Sequence, residues 1–372
     1  MTALLGIAFV STAAFAPLPA HSPGCAFANL PPLQEAQAQD MKLWPNSAPI
    51  EAHEKEVHLT NIRQLTFGGQ NAEAYWNLDG TKITYQTKQP GFPDEQIFTM
   101  NADGSGKRLV STGKGRCTCS YFTPDGRYIY FSSTHELNEG PQAPVDMSKG
   151  YVWKVNPQFR LYRSRPDGSG LTQILARDGY IAETTIAPDG SYMTFTGSFD
   201  GDLEIYRASL DGSKVVRLTN EPGYDGGPFV SWDGKHIVYR RDLIESKEEL
   251  DDYKELLRQH MVRPSKLEIW IMDADGKNKR QVTNLGCASF APFLHPDGKR
   301  IIFCSNYGDG RGREFDLYMI NVDGTGLKQI TFTGEFDGFP MFTRDGKRLI
   351  FASNRNGKVR GETNLFTADW VD

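Results

Sequence analysis

The sequence predicts an all-β fold: a six-bladed β-propeller built from four-stranded antiparallel blades. Three observations predict it. One β-hairpin motif occurs six times, a second hairpin motif alternates with it, and an outer-strand motif near the N-terminus has no hairpin of its own. The aspartates of the first motif are 46, 64, 44, 64 and 48 residues apart. A basic repeat of about 45 residues has the length of one four-stranded blade, and two blades carry about twenty extra residues each.

The first motif is a tight turn between two aromatic strands. In YFTPDGRYIYFSS (121–133), Pro124 presets the first corner, Asp125 can accept hydrogen bonds from the following backbone, and Gly126 can adopt a positive φ. The flanking Tyr, Phe and Ile residues favour strands. The same Asp-Gly corner precedes an apolar strand at Asp79, Asp189, Asp233, Asp297 and Asp345.

The second motif joins an apolar strand, an Asp-Gly turn and a basic outer strand. It occurs five times, with turns at Asp103, Asp167, Asp211, Asp275 and Asp323. A sixth copy of its first strand, NLFTADW (364–370), is not followed by such a turn, whereas VHLTNIRQLTFGG (57–69) has the outer-strand pattern alone. We therefore expect the N-terminal segment to supply the outer strand of the last blade, which closes the ring and leaves few exposed sheet edges.

The repeat PDG…I.F.S…LY…DG…LT resembles the TolB-type propeller repeat, also called the PD40 or WD40-like repeat, from about residue 57 to residue 372. The resemblance implies the fold and little about function. Propellers of this kind occur in the periplasmic TolB protein, in the non-catalytic domain of prolyl-oligopeptidase-like peptidases and in oligogalacturonate lyases. The sequence has no G-x-S-x-G nucleophile elbow and no counterpart of TolB's N-terminal α/β domain. We therefore expect neither a peptidase nor a Tol-complex role.

Charge and hydropathy indicate location and exclude one class of partner. The net charge is −5 and the basic residues are scattered, which argues against nucleic acid as a partner. The apolar run at 3–16 has the length of a secretory signal, with small-residue cleavage sites after Ala28 and Ala38; a disordered tail is the alternative. We expect a signal peptide at 1–28, a linker at 29–56, no membrane span, and a periplasmic or secreted protein.

Two insertions enlarge one face of the predicted ring. They fall at 134–159 and 242–266, each between the second and third strands of a blade, so both lie opposite the Asp-Gly turns. Ser246 and Glu249 form a capping box and Pro264 ends the segment, so a short amphipathic helix is expected. Its apolar face would carry Leu250, Tyr253 and Leu257. Long loops gathered on one rim favour a binding surface there, although they could also be ornaments that pack over a blade edge.

The loops between blades lie on the same face, at the mouth of the central channel. One set of equivalent positions is Asn71, Cys117, Ile181, Asp225, Ser289 and Asp337, and a second, two residues on, includes Glu73, Cys119 and Glu183. Up to four carboxylates (Glu73, Glu183, Asp225 and Asp337) would then converge, and could bind a divalent cation such as Ca²⁺ or Mn²⁺. The alternative is that the aspartates cap the inner strands through local backbone hydrogen bonds. Cys117 and Cys119 would point the same way along one strand as free, buried thiols.

Basic and imidazole side chains on this rim suggest an anionic ligand. Arg311, Arg313, Arg355 and Arg360 follow second strands, as does His135, and the arginines could grip an acidic glycan or a partner's carboxylates, unless they are simply solvated. We therefore expect an exported, non-catalytic scaffold that binds protein partners, with acidic glycans as the second choice. The alternative is a metal-assisted carbohydrate-active enzyme of the oligogalacturonate-lyase type, although the seven histidines do not assemble into the cluster that this resemblance requires.

Overall fold

The computed structural model describes residues 46–310 and 314–372. Six antiparallel sheets form a ring in which each inner strand contacts the inner strands of both neighbouring blades, so the predicted six-bladed propeller is confirmed. The inner strands are β3 (Gln70–Trp76), β7 (Cys117–Phe122), β12 (Ile181–Ile186), β16 (Asp225–Val230), β21 (Ser289–Leu294) and β25 (Asp337–Phe342). The second strands are β4 (Lys82–Lys88), β8 (Ile129–Ser133), β13 (Met193–Gly197), β17 (His236–Asp242), β22 (Arg300–Ser305) and β26 (Arg348–Ser353).

The remaining blade strands lie farther from the channel. The third strands are β5 (Gln96–Asn101), β10 (Arg160–Ser164), β14 (Glu204–Ala208), β19 (Leu267–Asp273), β23 (Asp316–Asn321) and β27 (Asn364–Trp370). The outer strands are β6 (Arg108–Leu109), β11 (Thr172–Leu175), β15 (Val216–Arg217), β20 (Arg280–Gln281), β24 (Lys328–Gln329) and β2 (Leu59–Gln64). Large aromatic side chains such as Trp76, Phe131 and Phe303 are fully buried.

The last blade combines both ends of the described chain, as predicted. Strand β2 pairs antiparallel with β27, with Leu59 opposite Trp370. A further short strand, β1 (Ala48–Pro49), pairs with β2, so part of the predicted 29–56 linker belongs to this sheet. The rest of the linker up to residue 45, and the predicted signal peptide, lie outside the described residues.

Asp-Gly turns build the face opposite the insertions. In all eleven turns an oxygen of the aspartate accepts a hydrogen bond from the backbone N–H two residues on. The glycine that follows has φ between 67° and 85°, a region that costs other residues energy. These turns are therefore structural, and the loops that differ from blade to blade lie on the opposite face.

Every inner strand contains one extra residue relative to its neighbour. The register of all six inner pairs shifts by one, which is a β-bulge, and one residue in each bulge has φ between 49° and 60°. We call these the ring residues: Glu73, Cys119, Glu183, Gly227, Ala291 and Phe339. A bulge re-aims the side chain it carries, and all six ring residues face the central channel.

The bulge also corrects the prediction for the two cysteines. Cys117 packs between blades with Ile97 and Phe131, whereas Cys119 lines the channel near Tyr224. They do not share a side of the strand because the left-handed residue breaks the alternation. Both are free and buried, as expected.

The two insertions meet above the channel mouth. Strand β9 (Trp153–Lys154) of the first insertion pairs antiparallel with β18 (Met261–Val262) of the second, although the insertions belong to blades that are not adjacent. The predicted helix, α1 (Lys247–Arg258), begins with the expected capping box. It buries Tyr253 and Leu256, and Leu256 packs against Met261. We call the segment from Val145 to Lys154 the roof, because it covers the channel mouth.

Candidate ligand-binding cavity at the channel mouth

A cavity lies between the ring residues and the roof. Its floor and sides come from all six inner strands, because each strand contributes its ring residue. Its cover comes from Val145 and from Tyr151, Val152, Trp153 and Lys154. A concave site at the end of a propeller channel, lined by several elements, is the usual kind of place for a ligand.

Aromatic side chains form most of the apolar wall. Phe290 lies at the centre of this wall, with its ring centroid 5.3 Å from that of Trp153 and 6.0 Å from that of Phe339. Tyr75 and Phe229 meet edge to face at 5.1 Å on another side. Such rings offer flat faces and edges to a planar or cyclic ligand.

Glu183 and Arg240 form a buried ion pair on the cavity wall. The Nη2 group of Arg240 donates to Glu183 Oε1 and to the Tyr224 hydroxyl. Glu183 also accepts from the Thr196 hydroxyl at 2.6 Å and from the Gly227 backbone N–H at 2.8 Å. Burial by itself raises the pKa of Glu183, but the Arg240 charge and these hydrogen bonds bring that pKa below its ordinary value.

Arg240 reaches the cavity because the ring residue of its blade is a glycine. A Cβ atom added at Gly227 would lie 2.2 Å from Arg240 Nη1, so the guanidinium occupies the position of the missing side chain. Arg240 is 6 % exposed in its side chain, and its Nε is buried without a hydrogen-bond partner. Among the described residues Nη1 has no acceptor either. Two of its three nitrogens are therefore unused.

Glu73 is a carboxyl group whose ionisation is suppressed. Burial, followed by the negative charge of Glu183, raises the pKa of Glu73 to about 7, although Cys119, Arg240 and Tyr75 act in the opposite direction. Burial also holds the pKa of the Cys119 thiol well above its ordinary value, so this sulfur is protonated at neutral pH.

Two further cations line the cavity. Arg116 Nε lies 3.0 Å from Glu95 Oε2, and Lys154 Nζ donates to the Ala143 carbonyl at 3.3 Å. Burial, and then the neighbouring Arg116 charge, lower the pKa of Lys154. The polar part of the cavity is thus mainly cationic on the roof side.

The first predicted set of positions does not face the cavity. Asn71, Cys117, Ile181, Asp225, Ser289 and Asp337 are all buried inside the blades. Asp225 lies 3.8 Å from Arg241 Nε, and Asp337 lies 3.0 Å from Arg355 Nη2. Asn71 donates to the Gly68 and Thr363 carbonyls, and Ser289 bonds to Ser305.

The expected convergence of four carboxylates is therefore corrected. Glu73 and Glu183 line the cavity, whereas Asp225 and Asp337 point into their own blades, because the bulge separates the two sets of positions. In residues 46–310 and 314–372, no three His, Cys, Asp or Glu side chains are grouped so that they could hold a metal ion.

The predicted anion-binding residues also lie elsewhere. Arg355 is 5 % exposed and pairs with Glu56 and Asp337 inside the last blade, which corrects its expected place on the rim. His135 contacts Ser133 through Nδ1 at 2.9 Å and packs on Tyr162, outside the cavity. Arg360 is exposed. Arg311 and Arg313 lie outside the described residues.

Sequence reasoning missed two of the residues that line the cavity, Arg240 and Trp153. Arg240 sits in an apolar second strand and reads as a strand end, and Trp153 sits in an insertion without a motif. The sequence feature that could have revealed Arg240 is Gly227 in GYDGGP, because a ring position without a side chain leaves space for a side chain from a neighbouring strand.

Solved structures that share this fold include TolB proteins. TolB from Acinetobacter baumannii superimposes with a TM-score of 0.55 at 18% identity, covering 79% of this chain and 64% of that protein. A putative TolB from Agrobacterium tumefaciens gives 0.52 at 17% identity, covering 82% and 91%. The chain folds as a TolB-like β-propeller. An oligogalacturonate lyase from Vibrio parahaemolyticus shares this fold, with a TM-score of 0.50 at 12% identity over 87% of this chain and 96% of that one.

Sequence comparison adds one relative. No protein-family profile matches this TolB-like propeller. It is 24% identical over 211 residues to an uncharacterized protein of Agrobacterium fabrum, which covers 50% of this chain and 65% of that protein. The match thus spans less than two thirds of the relative, as it does for the Acinetobacter TolB. Within the described residues no helix has the length and apolar character to cross a bilayer.

Proposed function

We propose that this chain is an exported, non-catalytic binding propeller that recognises its ligand in the roofed cavity at the channel mouth. The observation that carries the proposal is the joint geometry of ring and roof. Six bulges turn one position each toward the channel, and two insertions from separate blades pair to cover the resulting space. The ligand would be a group presented by a protein partner or a small glycan, and such recognition needs no reaction.

The polar groups in the cavity favour binding over chemistry. Glu183 is held by four hydrogen-bond donors, and the Cys119 thiol stays protonated because of its burial. A nucleophile needs an adjacent base and a lowered pKa, and Cys119 has a raised one. Binding through stacking and fixed donors requires only the preorganised wall that the structure contains.

One observation favours the alternative, a carbohydrate-active enzyme. Glu73 has a pKa of about 7 in a cavity, which suits a group that takes up and releases a proton near neutral pH. The TolB-like fold is shared with an oligogalacturonate lyase. Incubation with acidic oligosaccharides, with and without Mn²⁺, would decide: unsaturated products that disappear in Glu73→Gln would replace the binding proposal with this one.

The binding proposal is tested by filling the cavity. Phe339 shows that a phenylalanine fits a ring position at φ 54°, so Ala291→Phe, at φ 50°, should place a further aromatic side chain in the cavity without new backbone strain. We expect this variant to stay folded and to lose the fluorescence of a neutral apolar dye, N-phenyl-1-naphthylamine, bound by the native chain. Val216→Phe, on the outer strand β15 where Val216 is 55 % exposed, is the matched control.

Two results would contradict the proposal. The first is a native protein that does not take up the dye, and the second is equal uptake by the native chain and Ala291→Phe. Dye uptake lost only in Ala291→Phe would locate binding in the cavity, and competition by acidic oligosaccharides or by partner peptides would then identify the ligand class.

The proposed export rests on the apolar run at 3–16. With a C-terminal tag in a Gram-negative host, we expect osmotic shock to release a protein whose first residue is Asn29 or Gln39. A cytoplasmic protein that retains residues 1–28 would contradict it.

A further inference from the structure

We infer that the cavity takes a ligand with a carboxylate on a flat or ring-shaped body, and that Arg240 binds the carboxylate. This inference rests on the proposed function and names the ligand chemistry. Four features of the cavity lead to it: the unused donors of Arg240, the position of Nη1 beside Gly227, the distribution of charge and the shape of the wall.

Arg240 has hydrogen-bonding capacity that the protein does not use. Nη2 bonds to Glu183 and Tyr224, while Nε is buried without a partner and Nη1 has no acceptor in the described chain. A buried donor that is left unpaired costs folding free energy. Nη1 carries two N–H groups and shares the guanidinium charge, so a carboxylate oxygen is its natural acceptor.

Gly227 puts Nη1 where a ligand can reach it. The five other ring residues project side chains toward the channel, but at Gly227 the space next to the backbone is filled by Nη1 itself. Glu183 and Tyr224 fix the guanidinium from behind, and its centre lies 4.5 Å from the Tyr224 ring and 5.4 Å from that of Trp153. The donor is therefore preorganised, which reduces the entropy lost on binding.

The charges around the cavity favour an anion. Arg116 and Lys154 lie on the roof side, and Arg240 lies on the wall. The opposing carboxyl groups are Glu183, which Arg240 already pairs, and Glu73, which is largely uncharged below about pH 7. Glu95 pairs with Arg116, but burial raises the pKa of Glu95 to about 8 and weakens its negative charge. A cationic ligand would meet three like charges.

The aromatic wall of the cavity determines which shapes the ligand can have beyond its carboxylate. The Phe290 ring lies 5.3 Å from that of Trp153 and 6.0 Å from that of Phe339, so the wall presents ring faces and edges. Aromatic acids, sugar acids and the C-terminal carboxylate of an aromatic peptide all share a carboxylate on a flat or ring-shaped body. These three sources can be separated by experiment.

The test is titration calorimetry on the full folded chain, at about pH 6 so that Glu73 is mostly neutral. The acids are benzoate, galacturonate and N-acetylphenylalanine, and the matched neutral and cationic probes are benzamide, N-acetylphenylalaninamide and benzylamine. We expect at least one acid to bind about tenfold or more tightly than its amide, and benzylamine to bind most weakly. The preferred acid identifies the source: a free aromatic acid, a sugar acid or a chain end.

Two matched variants assign the effect to one side chain. Arg240→Lys keeps a positive charge for Glu183 but removes Nη1, the donor beside Gly227, and should weaken acid binding by about tenfold or more. Arg241→Lys changes the next residue of β17, which pairs with Asp225 and Glu221 outside the cavity, and should leave binding unchanged. If Arg240→Lys does not fold, the comparison of acids with amides on the native protein still tests whether the cavity prefers a carboxylate.

The outcomes separate this inference from the proposed function. Equal binding of acids and amides, or tighter binding of benzylamine, would overturn the carboxylate assignment while leaving the cavity as a binding site. Loss of acid binding in both lysine variants would equally overturn it. If no probe binds and the neutral dye is also excluded, both proposals fail.

Discussion

Two turn glycines with the same backbone conformation differ in their surroundings. Gly126 has φ 67°, and nothing in the described chain lies within 4 Å of a Cβ added there. Gly104 has φ 83°, and its added Cβ would lie 1.9 Å from the Asn46 carbonyl oxygen. We expect Gly126→Ala to lower the free energy of unfolding by about 1–2 kcal/mol through backbone strain alone. Gly104→Ala should cost more, because it also pushes away the segment before β1.

Urea denaturation of both variants measures this difference. Gly126→Asn is the control for strain, because asparagine adopts the left-handed region more readily than alanine and should recover part of the loss. Equal losses for the two alanine variants would show that the contact with Asn46 contributes nothing to the stability of the blade.

At the scale of elements, the closing blade depends on a buried ion triad. Arg355, from the loop after β26, pairs with Glu56 before β2 and with Asp337 at the start of β25, and all three are almost fully buried. Arg355→Met leaves two buried carboxylates without their cation, which should cost about 3–5 kcal/mol. Urea denaturation measures this loss.

Arg360→Met, at an exposed position of the same loop, is the control for this change. If Arg355→Met and Arg360→Met have the same stability, the triad does not hold the N-terminal strand in place. Partial recovery in Glu56→Gln/Arg355→Met would show that the loss in the single variant comes from the unpaired Glu56 charge.

The blades could be predicted from sequence because their signals are local. Asp125 and Gly126 specify a turn by their own backbone chemistry, and the same two residue types recur in every blade. The cavity could not be predicted. Arg240 reaches it only because Gly227 has no side chain, and Trp153 covers it only because two insertions that are far apart in sequence pair with each other. The bulges were also missed, since non-glycine residues such as Glu73 and Phe339 occupy left-handed positions without a compositional signal.

At the scale of the whole molecule, two populations of carboxyl groups oppose each other in pH dependence. Turn aspartates such as Asp79 and Asp345 accept nearby hydrogen bonds that lower their pKa. The stability they contribute is present above the ordinary pKa and lost as pH falls below about 3.8. Burial instead raises the pKa to about 7 in Glu73, Glu204, Asp242 and Asp316.

The four carboxyl groups with a raised pKa determine how the stability changes above about pH 4. The folded state binds more protons than the unfolded state between about pH 4 and pH 7, so the free energy of unfolding must fall as pH rises through this window. Each group contributes on the order of 1 kcal/mol once partial solvation is allowed for. We therefore expect urea denaturation to show greatest stability near pH 4 and a loss of several kcal/mol by pH 8. In Glu73→Gln the free energy of unfolding should fall less between about pH 4 and pH 8, by the contribution of one group, because glutamine does not ionise. A free energy of unfolding that instead rises toward about pH 8 would mean that these carboxyl groups are ionised in the folded protein.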